Sequence, residues 1–261
     1  MAGIKLHAPI DVVIRDNHIF RVGTYGIWLD WMTQGAQVTG NLLHDNHSDI
    51  FSEVNHGPYL VANNILLSGT AIDNQSNGGA FCHNLMTGNY RVRPELGRST
   101  PVLVPHGTQI ASLQKTEVGD DRWFNNLLTG GSHLTGYDNA KLPVFMAGNV
   151  FLKAAQPSKH ATDALRKPDF DAGVKLEKHS DGWRLTFDAD TAWRDEQKRN
   201  LVTTELLGAA VLPNQSFVNP DGAPLKIDTD YFGRKRNARN PFPGPFEITK
   251  PGKQEIKVWP K

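Results

Sequence analysis

Short apolar runs fill the first 150 residues, and asparagine interrupts them in the same setting each time. The phrase reads Val13-Ile14-Arg15-Asp16-Asn17-His18-Ile19-Phe20, then Val38-Thr39-Gly40-Asn41-Leu42-Leu43, and it returns around Asn64, Asn84, Asn126 and Asn149. Successive asparagines stand 24, 23, 20, 42 and 23 residues apart. The long interval is either one coil carrying an insertion or two coils with one phrase lost. A repeat of this length built from short strands and turns has few structural solutions. Leucine-rich repeats share the length, but their Leu-x-x-Leu-x-Leu signature is missing. The pattern predicts an all-β chain, a right-handed single-stranded parallel β-helix with two or three short strands per coil. The asparagines are then expected at turns, where they tolerate left-handed backbone and their amides bond one another in a ladder.

The same pattern sets the organisation. Residues 91–121, with Pro94, Pro101 and Pro105, break the repeat and read as an excursion, a common carrier of binding groups. Coils are expected over 1–155, with 156–261 packing on them as an irregular C-terminal extension. Within that extension, 174–178 and 183–187 flank His-Ser-Asp-Gly and predict a β-hairpin. Residues 191–208 predict one short helix ending near Gly208, and 219–251, rich in Pro and Gly, predict irregular chain. The first strands have no evident cap, so an exposed edge is expected there, covered by further chain or by a second copy in a homo-oligomer.

Charge and composition exclude several classes. With 28 Lys+Arg against 27 Asp+Glu, the chain has no overall field for nucleic acid or an anionic membrane. No apolar run approaches the roughly 18 residues of a membrane-spanning helix, and no secretory leader opens the chain. The single cysteine, Cys82, precludes an internal disulfide and suits a reducing, cytoplasmic setting. It lies in an apolar phrase and is expected in the core. No phosphate-binding glycine loop supports a nucleotide, and no cofactor is expected. His44 and His47 are spaced to chelate, but no further ligands stand at recognisable spacing, so no metal is expected.

Strand alternation then selects candidate residues. One-coil offsets align Gly26–Trp31 with Asp49–Val54 and Ala71–Ser76. Ile27, Leu29, Ile50, Ser52 and Ile72 face inward, while Trp28, Asp30, Phe51, Glu53, Asp73 and Gln75 face out. Asp30, Glu53 and Gln75 therefore stack in one column. Neighbouring strands lie about 4.8 Å apart, so two carboxylates so placed resist joint ionisation. Retaining glycosidases use a carboxyl pair about 5–5.5 Å apart, whereas inverting enzymes need about 6.5–9.5 Å. Trp28 and Phe51 offer an apolar platform for a sugar.

The stretch Gly26-Ile-Trp-Leu-Asp30-Trp-Met-Thr-Gln-Gly35, followed by His44-Asp-Asn46 and Phe51-Ser-Glu53-Val-Asn-His-Gly-Pro58, resembles glycoside hydrolase family 120, the retaining β-xylosidases. The tail Asp228-Thr-Asp-Tyr-Phe-Gly-Arg-Lys-Arg236 with Asn240-Pro-Phe-Pro-Gly-Pro-Phe246 is similar to that family's C-terminal end. The resemblance implies a parallel β-helix, release of xylose from short xylo-oligosaccharides, Asp30 as nucleophile and Glu53 as acid/base. It covers most of this chain but the C-terminal part of a family member, the upstream coils and β-sandwich being expected elsewhere.

Other groups complete the candidate set. His56 stands in position to bond a sugar hydroxyl or to hold Glu53, and Gln75 continues the column. Arg93 and His106 flank the excursion and are expected to close over substrate. The cluster Arg234-Lys235-Arg236 with Arg239 reads as a solvated face. Two competing functions remain at this level, a polysaccharide lyase and a non-catalytic carbohydrate-binding β-helix.

Overall fold

In the computed structural model, which describes residues 1–261, the chain winds into a parallel β-helix of about six turns. Three parallel sheets form its walls. The first contains Ile4–His7, Tyr25–Asp30, Ser48–Glu53, Thr70–Gln75 and Asn89–Val92. The second stacks Val13–Arg15, Ala36–Thr39, Tyr59–Ala62, Gly79–Cys82, Asp121–Phe124 and Val144–Ala147. The third runs from His18–Phe20 through Leu42–His44, Ile65–Leu66, Leu85–Met86, Leu127–Leu128 and Val150–Leu152 to Leu165–Lys167. The coil stack thus continues beyond residue 155, because Leu165–Lys167 pairs in parallel with Val150–Leu152.

Between the second and third sheets runs the asparagine ladder. Asn17 donates from Nδ2 to Asn41 Oδ1 at 3.0 Å, Asn41 to Asn64 at 3.0 Å, and Asn64 to Asn84 at 3.1 Å. Asn84 continues to Asn126 at 3.1 Å and Asn126 to Asn149 at 2.9 Å. The expectation is corrected in one detail. The left-handed residue is the one before each ladder asparagine: Asp16, Gly40, Asn63, His83, Asn125 and Gly148. The turn is made there, which frees the asparagine side chain to point into the stack.

The direct Asn84–Asn126 bond shows that the long interval is a single coil with an insertion. That insertion is an antiparallel hairpin, Glu95–Leu103 against Ile110–Thr116, leaving the first sheet at Val92 and rejoining the second at Asp121.

Ile27, Leu29, Ile50 and Ile72 are fully buried in the coil interior with Val38, Val61, Phe81 and Trp123. The polar inward positions are satisfied there. Ser52 Oγ donates to Ser76 Oγ at 3.0 Å, and Asn74 Nδ2 donates to Tyr90 Oη at 2.9 Å and Asp121 Oδ2 at 3.1 Å.

The C-terminal extension covers two of the three walls. Leu42, Ile65, Leu85 and Leu127 of the third sheet pack against Leu185, Phe187, Trp193, Phe242 and Phe246. Leu60, Ala62, Ala80, Cys82 and Phe124 of the second pack against Val202, Leu207, Phe217 and Ile227. The outer face of the first sheet stays free of this cladding. The hairpin strands Lys175–His179 and Gly182–Ala189 are joined by a third strand, Gly252–Trp259.

Two expectations fail here. Residues 191–208 form two short helices, Ala192–Glu196 and Thr204–Leu207, and not one. Buried Arg199 breaks the run, donating to the carbonyls of Gly148 (2.8 Å) and Trp193 (2.9 Å), and Val202–Thr203 pairs with Lys226–Ile227. Arg236, expected on a solvated face, is buried and donates to Asn63 Oδ1 at 2.7 Å, fastening the tail to the ladder turn.

Candidate active site

The first sheet's register places the selected residues in columns. His7 pairs with Asp30, and Glu53 with Gln75, while Leu29 pairs with Ser52, so Asp30 and Glu53 stand on adjacent rungs. Beside them run Lys5, Trp28, Phe51, Asp73 and Arg91. Tyr25 stacks on Phe51 with ring centroids 4.4 Å apart, and Trp28 tilts against Phe51 at 5.4 Å.

The two carboxyls differ in environment. Asp30 is enclosed, with 10% of its side chain exposed. Lys5 Nζ lies 2.9 Å and His7 Nδ1 3.1 Å from Asp30 Oδ2, while Trp31 N donates to Oδ1 at 2.8 Å. Burial by itself raises the Asp30 carboxyl, but the donors His7, Lys5 and the Trp31 N–H together outweigh it and hold it at about 2. Lys5 also sits 3.3 Å from the centre of the Trp28 ring, a cation–π contact that fixes the ammonium between indole and carboxylate. Glu53 accepts from Trp28 Nε1 at 3.1 Å on Oε2 and from Arg98 Nη2 at 2.8 Å on Oε1. Its carboxyl is nonetheless raised, by burial first and then by the neighbouring Asp30 charge, with Arg98 and Trp28 pulling the other way. A carboxyl shifted down therefore stands beside one shifted up.

The remaining candidates divide. Arg93 pairs with Asp73 and lies 5.8 Å from the Phe51 ring, at the margin of the aromatic floor. Gln75 donates to Glu95 Oε2 of the hairpin at 3.4 Å. His56 is buried under the hairpin, its Nε2 2.8 Å from the Thr100 hydroxyl, so its partner is Thr100 and not Glu53. His106, at the hairpin tip, faces the second sheet. Its Nδ1 is 2.9 Å from Asp11 Oδ2, and it lines a small cleft with Tyr59, Gln215 and Phe217. Neither His56 nor His106 is bonded to either carboxyl. His44, considered for chelation, is 2.8 Å from His18 through the Nε2 atoms and 2.9 Å from Asp45 through Nδ1, while His47 is exposed.

Lys5, His7 and Arg98 are site residues that the alignment of coils left out. Lys5 and His7 precede Trp28 and Asp30 by the one-coil offset, so extending the register one coil earlier finds them. Arg98 has no such signal, because the insertion lies outside the repeat.

No protein-family model matches the chain, and no curated protein matches it. A solved structure of XylC in complex with xylose matches with a TM-score of 0.93 and 34% identity over 99% of this chain. The match supports the resemblance to glycoside hydrolase family 120. The chain spans 45% of the XylC chain, somewhat under half of that family member. The family phrases around Asp30 and Glu53 are thus the ones that this fold sets on adjacent rungs of its bare wall.

Proposed function

We propose that this chain carries the catalytic carboxyls of a retaining exo-β-xylosidase acting on short xylo-oligosaccharides. The observation that supports this most is the pair Asp30 and Glu53, one rung apart and shifted in opposite directions. A rung is about 4.8 Å, close to the separation used for retention and too small for an intervening water. The xylose held by XylC supports a pentoside as substrate.

In this reading the sugar lies on Trp28 and Phe51. Asp30, ionised, attacks the anomeric carbon as Glu53 passes its proton to the departing oxygen, leaving a glycosyl ester on Asp30. Glu53, now a carboxylate, takes a proton from water. The water oxygen displaces Asp30, the ester C–O bond breaks, and both carboxyls return to their starting states.

The test uses nitrophenyl β-xyloside with azide as an external nucleophile. Asp30→Ala is expected to abolish turnover, and any azide rescue should give the inverted α-azide. Glu53→Ala is expected to retain some reaction with a good leaving group and to give the β-azide with retained configuration. An α-azide from Glu53→Ala reverses the two roles, and full activity in both variants refutes the assignment. An ultraviolet-absorbing unsaturated product would point to a lyase.

A further inference from the structure

Both oxygens of Glu53 have donors, but the donors come from different places. Trp28 belongs to the adjacent rung, whereas Arg98 reaches Glu53 from the inserted hairpin. The hairpin is irregular where Arg98 sits. Glu95 pairs with Thr116 and Thr100 with Gln114, so five steps along one strand face two along the other. Three extra residues are gathered between Glu95 and Thr100. Both ends of this bulge are fixed: Glu95 accepts from Gln75 at 3.4 Å and from Gly97 N at 2.7 Å, and the Thr100 hydroxyl is 2.8 Å from buried His56. Bulges re-aim a side chain where a regular strand points it elsewhere.

We propose that the 95–100 bulge delivers Arg98 to Glu53 as a positioning residue, holding the Glu53 carboxylate anionic and aimed during the hydrolytic half-reaction. This rests on the retaining reading above. Glu53 faces Asp30 on the adjacent strand, with Lys5 and His7 beyond it. Asp73, Tyr25 and Arg91 stand on the same sheet with Arg93 just past its last strand, and Glu95 and Arg98 approach from the hairpin. In the free protein the Asp30 anion opposes ionisation of Glu53. Once Asp30 is esterified, that anion is gone. Arg98 is then the cation in direct contact with Glu53, and it stabilises the carboxylate that accepts a proton from water. Arg98 itself exchanges no proton. Because half of its side chain is exposed, the interaction weakens as salt is added.

Arg98→Gln and Arg98→Lys in the purified protein test this with two readouts. The first is the titration of the Glu53 carboxyl by ¹³C NMR, assigned by its disappearance in Glu53→Gln, and it requires no turnover. Arg98→Gln should raise the midpoint by about one unit, and Arg98→Lys by less. The second is steady-state kinetics on a nitrophenyl β-xyloside with a good leaving group. In Arg98→Gln, kcat and KM should fall together several-fold as the glycosyl-enzyme accumulates, with kcat/KM nearly held. An unmoved midpoint overturns the proposal. A moved midpoint with kcat and KM both unchanged overturns its catalytic part. If the unaltered protein turns over nothing, the midpoint alone decides. Glu53→Gln as active as the unaltered protein would overturn the retaining reading and this proposal with it, an outcome that the NMR midpoint keeps separate.

Discussion

Asn84 donates from Nδ2 to Asn126 Oδ1 at 3.1 Å although 42 residues of chain separate them. The same Asn84 donates to the Val61 carbonyl at 2.9 Å and accepts from both the backbone N–H and the side-chain amide of Asn64. Asn84→Ala therefore leaves several buried polar groups unpaired, each costing about 1–3 kcal/mol. Urea unfolding should show a loss of about 3 kcal/mol or more, whereas Asn17→Ala, at a half-buried position, should lose about 1. Equal losses at the two sites would mean that water replaces the ladder bonds.

Two carboxyls in the coil interior predict a pH-dependent stability. Burial pushes Asp121 up to about 8, although Tyr137 Oη and Gly79 N donate to it, and pushes Asp49 up to about 7 against donors from Ser68 and Asn46. Both groups are protonated in the fold and ionise near 4 in the unfolded chain, so the folded state binds more protons. Their contribution is fully present below about pH 4 and declines as pH rises through about 7–8. The urea midpoint should drop between about pH 5 and about pH 8, and Asp121→Asn should flatten that slope whatever its own stability. A midpoint independent of pH in both proteins would mean that these carboxyls are ionised inside the coil.

Lys5→Met keeps an apolar stem against Trp28 and removes the ammonium 2.9 Å from Asp30. Asp30, held at about 2 against the effect of burial, should then climb. In the proposed mechanism attack requires the ionised form, so the acid limb of kcat/KM should move up by about one unit. An unmoved limb would show that His7 and the Trp31 N–H suffice.

Thr100→Val removes the hydroxyl 2.8 Å from His56 Nε2, and the buried ring, whose Nδ1 already lacks a protein partner, loses its side-chain bond. Limited proteolysis should cut within 95–116 faster than in the unaltered protein, while circular dichroism of the coils stays the same. Unchanged cleavage would mean that the hairpin's own buried residues Pro101–Leu103 anchor it alone.

The coil spacing, the ladder and the Asp30–Glu53 register were legible in sequence because each is a periodic consequence of stacking like on like. Lys5 and His7 obey the same period but lack an asparagine phrase before them, so nothing drew the alignment back to them. Arg98 was not legible, since its place depends on a bulge whose extra residues are defined only by pairing with the opposite strand. The helix expected over 191–208 failed for a related reason. Arg199 reads as an ordinary helix former, and only the buried carbonyls of Gly148 and Trp193 reveal why the chain unwinds around it. Sequence proximity to the excursion suggests that His106 closes over the carboxyls, but the hairpin's length carries its tip to Gln34 and Asp11 at the corner between the first and second sheets.

The cladding of two walls has a bearing on how such a chain changes over generations. Leu60, Ala80 and Cys82 on one wall, and Leu42, Ile65 and Leu85 on another, must each suit a neighbour in the C-terminal extension, so an exchange there disturbs packing on both sides. Trp28, Phe51 and Gln75 on the first sheet answer to no such neighbour in that extension. If the proposed site is right, substitutions in those columns would alter which sugar is held while the stack beneath them, fixed by its ladder and its inward isoleucines, goes on folding as before. The bare wall is where new specificity can be tried at least risk to the fold.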